Sequence, residues 1–189
     1  MKNKPQLVPN LFRDRYKVLK EKYYYYVVKF FFIMPLISLT TEIKAPIERC
    51  FDLSRSIDLH KISTGKTGEE AIAGRTSGLI ALGEFVTWRA KHLGVLQTLS
   101  SRITAFEYPF LFTDEMIDGA FKSIKHDHRF QSDGDNTLMS DAFYFETPLG
   151  IFGQIANKLF LINYLEKLLV ERNRIIKEFA ESEKWREVL

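Results

Sequence analysis

The chain has 189 residues, 46% hydrophobic and 27% charged, with 10 Gly and 6 Pro, proportions of a globular domain that exclude a disordered or fibrous chain. Its one cysteine, Cys50, excludes an intrachain disulfide framework and a thiolate-rich metal site, and no apolar run reaches the roughly 18 to 20 residues of a membrane-spanning helix. The net charge of +3 is unevenly spread: residues 1–33 hold eight Lys and Arg against two acids, so the rest of the chain is net negative, at −3, without the basic stripe of a nucleic-acid binder.

Within residues 1–33, the stretch Tyr23–Ile33 mixes aromatic and β-branched residues around Lys29. Four readings of this leader stand side by side. A signal peptide fits poorly, because the basic region is long and no small-residue cleavage site follows. A peripheral membrane anchor would use Lys and Arg for anionic lipid and Tyr and Phe for the interface. A strand or helix packed on the domain is a third reading. In the fourth, Met34 is the true start and the leader is an upstream extension of the reading frame.

From Leu36 the residues alternate with a period of two, predicting a half-buried strand over Pro35–Lys44. Ala45-Pro46 breaks it, and Pro46 suits the first position of a helix carrying Ile47, Cys50 and Phe51 on its apolar side. A second short helix is predicted over Ser56–Ile62, then a glycine-punctuated stretch with one short strand near Glu70–Ala73. Five strands follow, over Glu84–His92, Gln97–Phe106, Phe110–Ile117, Ala120–Gln131 and Thr137–Glu146. The turns between them are short enough for successive hairpins, which makes the sheet an antiparallel meander. After Pro148 and Gly150 a helix is predicted from Ile151 to about Ala180, with Ile155, Leu159, Ile162, Leu165, Leu168, Leu169, Ile176 and Phe179 on one broad face. The charged positions Glu166, Lys167, Glu171, Arg172, Arg174, Lys177 and Glu178 read as its solvated face. About 30 residues make about 45 Å of helix, long enough to cross the inside of a curved sheet. The fold class is therefore α+β, with a curved antiparallel sheet wrapped around a long C-terminal helix and two short helices after the first strand. A gap between sheet and helix is a natural ligand cavity. The domain runs over residues 34–181, with 182–189 a C-terminal tail.

From Met34 to Ala180 the chain resembles the START-like (SRPBCC) superfamily of helix-grip proteins, which includes polyketide cyclases, lipid-transport domains and pollen allergens. The resemblance rests on Leu39-Thr-Thr-Glu-Ile-Lys-Ala-Pro46, Gly83-Glu-Phe-Val-Thr-Trp88, Phe112-Thr-Asp-Glu-Met116 with Asp118-Gly119, Lys125-His-Asp-His128-Arg-Phe130, Thr137-Leu-Met-Ser-Asp141 and Pro148-Leu-Gly150. It is most like the small bacterial single-domain ligand-binding members. It implies a helix-grip fold with a hydrophobic cavity, while activity in the superfamily ranges from none to cyclisation. Residues 1–33 have no counterpart in it.

Alternation assigns the inner face. Arg89 and Lys91 choose solvent, which turns Glu84, Val86, Trp88, Ala90 and His92 inward; Lys125, Asp127 and Arg129 do the same for Ile124, His126, His128 and Phe130. A two-residue turn at Asp133-Gly134 would set His126 opposite Asp141, and a four-residue loop over Asp133–Asn136 would set His128 there. Either pairing brings Cβ atoms to about 4.5–5.5 Å, close enough for the carboxylate to orient an imidazole. Apolar walls are expected from Leu99, Ile103, Phe110, Phe112, Met116, Met139, Phe143 and Phe145.

The polar cluster admits three roles: a self-satisfied structural pair, anchors for the polar end of an amphipathic ligand, or a general base of the cyclase kind made of His126 or His128 with Asp141. His126-x-His128 with a carboxylate could reach a metal, but a lone His-x-His is a weak signature, and no metal or cofactor is expected. Phosphate-binding and nucleophile-elbow motifs are missing, and Cys50 reads as a small core residue. The expected function is to carry or sense a small hydrophobic molecule such as a lipid, isoprenoid or polyketide in the cytoplasm. The alternative is a cyclase/dehydrase-like enzyme.

Overall fold

The computed structural model describes residues 35–147 and 154–189. The expectations for the leader 1–33, for Pro148 and Gly150, for a helix start at Ile151, and for the side chains of Ile155 and Leu159 lie outside the described residues. The elements are β1 (Leu36–Ile43), α1 (Ile47–Ser54), α2 (Ile57–Ser63), β2 (Glu70–Gly74), β3 (Phe85–His92), β4 (Val95–Glu107), β5 (Leu111–Gly119), β6 (Ser123–Asp133), β7 (Asn136–Glu146) and α3 (Gln154–Ala180). The seven strands form one antiparallel sheet in the order β1-β7-β6-β5-β4-β3-β2. This is the expected α+β arrangement of a curved sheet with a long C-terminal helix.

Turn chemistry fixes the registers. Leu93 and Gly94 have φ of 52° and 85°, and two positive φ values in a two-residue loop are what a type I′ hairpin requires. Between β6 and β7 the loop is Gly134-Asp135, with Gly134 at φ 61° as a type II′ turn wants. Asp133 then faces Asn136, Ser132 faces Thr137 and His128 faces Asp141. This is the second of the two registers considered from sequence, with the loop closed by one further pair.

Pro46 stands at the N-cap of α1, one residue earlier than expected. The helix buries Cys50, Phe51 and Leu53. The Phe51 ring meets Phe106, Phe112 and Phe130 edge to face at centroid separations of 5.3, 5.4 and 5.3 Å, contacts worth about 0.5–1.5 kcal/mol each beyond area burial. This seals one half of the sheet's inner face into a core that also holds Met139, Ile176 and Phe179. A second cluster joins Ile37, Ile124, Phe145 and Leu169, with Ile162 and Leu165 packed against it.

Two features of the C-terminal region differ from a simple amphipathic helix and tail. Arg172, placed by its helical spacing on the solvated face, is buried. Its guanidinium donates to the Ser54 carbonyl at 2.9 Å and lies 3.6 Å from Asp141 Oδ1, so partners inside the fold outbid water for it. Residues Glu183–Glu187 form a 3₁₀ turn that sets Trp185 and Val188 against the core, with Arg49 stacked 4.7 Å from the Trp185 ring centroid.

Candidate functional site

Over the half of the sheet that α1 leaves uncovered, a cavity of about 430 Å³ opens between the strands, α2 and the middle of α3, within the size range of small-molecule sites. Strand alternation supplies most of its wall. β3 contributes Val86, Trp88 and His92, β4 contributes Leu99 and Ile103, and β5 contributes Phe112 and Met116. His126 and His128 come from β6 and Phe143 from β7. The helix side is closed by Tyr164, Leu165, Leu168 and Arg172. His92 Nδ1 lies 2.9 Å from the Tyr164 hydroxyl, tying the β3 end to α3.

Besides Asp141, five residues expected on this wall are elsewhere. Glu84 lies just before β3, where it pairs with Arg75 and accepts from the Ala81 amide at 2.8 Å; the strand's alternation does not extend to it. Phe110 precedes β5 and is 51% exposed. Phe130 and Met139 face inward but lie in the core under α1, where Phe51 covers Phe130 and Ser54 Oγ is 3.4 Å from Met139 Sδ. Phe145 is buried in the second cluster. An inner face is shared between core and cavity, and the position of α1 divides them.

Asp141 is fully buried behind the two histidines rather than on the wall. Its Oδ1 accepts from His128 Nδ1 at 2.8 Å and from His126 Nε2 at 3.0 Å, and its Oδ2 accepts from Asn173 Nδ2 at 2.7 Å. Burial alone would raise its pKa, but the hydrogen bonds from His126 and His128, with the His128 and Arg172 charges, hold it well below the ordinary carboxylate value. Both histidines therefore meet Asp141, one directly across the ladder and one on the diagonal.

Asp114 completes the cluster. It faces His126 across the β5–β6 ladder, and its Oδ2 is 3.1 Å from His128 Nε2 and 4.0 Å from His126 Nδ1. Burial pushes its carboxyl up, yet the His128 hydrogen bond and the charges of His126, His128 and Arg172 leave it lowered. Burial, then the neighbouring His128 charge, takes His126 down from 6.5 to about 4, against the pull of Asp141. A ring that is neutral at pH 7 and donates from Nε2 carries its lone pair on Nδ1.

Asp114 was legible in the sequence, since it sits between Phe112 and Met116 on the same strand face. A second polar group was not. His60, from α2, stacks on Trp88 with ring centroids 4.2 Å apart, and its Nε2 lies 3.0 Å from Glu69 Oε2. Both His60 and Glu69 reach the cavity. Asn173 and Arg172 were hidden because polarity on a helix reads as solvent until its partner is known.

No protein-family model matches the chain, and no curated protein sequence does. Solved structures do match. An aromatase/cyclase, Zhui, from Streptomyces sp. R1128 superposes with a TM-score of 0.62 at 15% identity, covering 78% of this chain and 94% of that one. TTHA0849 from Thermus thermophilus gives 0.60 at 18% identity, with 75% and 97% covered. Ginseng major latex-like protein 151 from Panax ginseng gives 0.59 at 17% identity, with 79% and 99% covered, and a START superfamily protein from Mycobacterium smegmatis gives 0.57 at 14%, with 77% and 97% covered.

The chain carries the START-like helix-grip fold. At these identities the likeness is one of fold, and a fold shared by an aromatase/cyclase and a major latex-like protein does not fix an activity. What distinguishes this helix-grip chain is therefore the chemistry of its own cavity wall.

Proposed function

We propose that the protein binds a small, largely apolar molecule, of the lipid, isoprenoid or polyketide kind, between the sheet and α3. The observation that carries this reading is the cavity itself: about 430 Å³, walled by Val86, Leu99, Ile103, Met116 and Leu165, with polar groups gathered at His126, His128 and Asp114. Such a wall favours a ligand with an apolar body and one polar end that hydrogen-bonds to the cluster.

The test is native mass spectrometry of the full-length protein, followed by solvent extraction. A defined copurifying molecule at one per chain is expected. An empty protein that also fails to bind an apolar fluorescent probe would overturn the proposal.

One observation favours a second reading, a proton-transfer enzyme of the cyclase kind. Among the described residues His126 is hydrogen-bonded through Nε2 alone, and its other nitrogen lies beside Asp114, where a general base would stand. Loss of turnover on a bound polyketone in His126→Gln, with ligand affinity retained, is what this reading expects.

A further inference from the structure

The two histidines lie between two aspartates, and the carboxylates do different things. Asp141 takes one nitrogen from each ring, Nε2 of His126 and Nδ1 of His128, on the same oxygen. That leaves His126 Nδ1 and His128 Nε2 as the outward nitrogens, and both point toward Asp114 Oδ2. One donor atom from each of Asp114, His126 and His128 lies within 4.8 Å of the other two. Asp141 is itself held in place by Asn173 and flanked by Arg172, which balances its charge.

We propose that Asp114 Oδ2, His126 Nδ1 and His128 Nε2 bind a divalent first-row transition-metal ion of the Zn²⁺ type on the cavity wall, with Asp141 as the carboxylate that orients both imidazoles. Two imidazoles and one carboxylate form a donor set that suits Zn²⁺, Fe²⁺, Ni²⁺ or Co²⁺ over the oxygen-seeking Mg²⁺ and Ca²⁺. Metal-binding histidines also characteristically donate their remaining N–H to a carboxylate, which fixes tautomer and ring orientation; here one buried carboxylate does so for both rings. The geometry, finally, is close to closed. Ligands about 2.0–2.1 Å from a tetrahedral ion stand about 3.3 Å apart. The His128–Asp114 separation is 3.1 Å and the His126–Asp114 separation is 4.0 Å, and the His126–His128 edge is within 4.8 Å, so closing the site asks for a His126 movement of at most about 1.5 Å.

Three protein ligands leave a fourth position for water or a ligand group. Asp114, whose side chain is 24% exposed, and the two histidines line the cavity, so that open position faces the cavity contents. The site does not depend on which molecule fills the rest of the space. The His-x-His of β6 is a weak signature alone; Asp114 and Asp141, contributed by β5 and β7, make it a complete ligand and orienting set.

The experiment uses tag-free full-length protein stripped with a chelator and titrated with Zn²⁺ by calorimetry. Long-range ¹H–¹⁵N spectra of the imidazoles, of which the chain has four, are recorded on the wild type. One ion per chain is expected, with the ring-nitrogen resonances of His126 and His128 shifting together while those of His60 and His92 stay in place. Asp114→Asn is expected to abolish the one-ion step, and Asp141→Asn to weaken it by about 10–100-fold. The proposal is overturned by absence of saturable one-to-one binding, by a folded Asp114→Asn that binds as the wild type does, or by resonance shifts at His60 and His92 instead. The wild-type spectra decide the matter even where a variant fails to fold.

Discussion

Asp141 faces His128 directly across the β6–β7 ladder, and its Oδ1 lies 2.8 Å from His128 Nδ1. The same oxygen takes His126, and Asn173 and Arg172 approach from α3. One buried carboxylate thus joins two strands and the long helix through four groups. Asp141→Asn keeps the shape but removes the charge nearest to Arg172 and shared by both imidazoles. Breaking a buried charged network by one partner costs about 3–5 kcal/mol. For a domain of this size each kcal/mol is worth about 2–4 °C, so the melting temperature is expected to fall by about 10 °C, read by circular dichroism on chelator-stripped protein. A fall under about 2 °C would show that the network contributes little.

Gly74 ends β2 at φ 74°. A Cβ there would stand 2.1 Å from the Phe85 carbonyl oxygen and 2.8 Å from its carbon, both backbone atoms of the neighbouring strand. Gly78 has a similar φ of 70° but open space around it, so it separates dihedral cost from collision. Gly78→Ala is expected to cost about 1 kcal/mol, and Gly74→Ala about 3 kcal/mol because β2 and β3 must also move apart. Urea unfolding of the two variants checks this, and equal losses would remove the collision from the account.

The Glu69–His60 pair predicts an acid limb in stability. Burial would raise the Glu69 carboxyl, but the His60 hydrogen bond and charge outweigh it and leave the pKa lowered in the folded protein. A carboxylate with a depressed folded value contributes its full stability above its unfolded value, about 4.3, and loses it as pH falls through the folded value. The part of the stability gap between wild type and Glu69→Gln that comes from this carboxylate is therefore expected to be present in full above about pH 5.5 and to narrow steadily toward about pH 3. A gap that stays constant over that range, measured by urea midpoints, would contradict the assigned pairing.

Much of this fold is legible in the sequence because the hairpin loops are short, but between β6 and β7 the sequence leaves two registers open, and the Gly134-Asp135 turn selects the one that sets His128 opposite Asp141. The histidines and Asp141 follow from strand alternation together with that register. Asp114 was available by the same rule, on the face shared by Phe112 and Met116. What alternation cannot supply is the partner across the core. Phe130 and Met139 face inward as expected, but only the position of α1 shows that they pack under Phe51 and Ser54 instead of lining the cavity. Arg172 is hidden for a related reason, because its burial depends on Asp141 and the Ser54 carbonyl, distant in sequence and invisible to helical periodicity.

Leu99 offers a way to test the cavity without touching its polar cluster. It pairs with Trp88 across β3–β4 and lines the space below α3. Its side chain also packs against Gly119, where an added Cβ would come within 2.9 Å of Leu99 Cδ1, so a larger side chain at position 99 is turned toward the cavity. Leu99→Trp is expected to lower affinity for an apolar fluorescent probe by at least about tenfold, at the 1–3 kcal/mol stability cost usual for overpacking. Zn²⁺ binding by the same variant is expected to match the wild type, because none of the three proposed ligands moves. If probe affinity survives in a folded Leu99→Trp, the apolar molecule binds somewhere other than between the sheet and the long helix. If Zn²⁺ is lost along with the probe, the two sites are a single cooperative structure, and the apolar body and the metal do not bind independently.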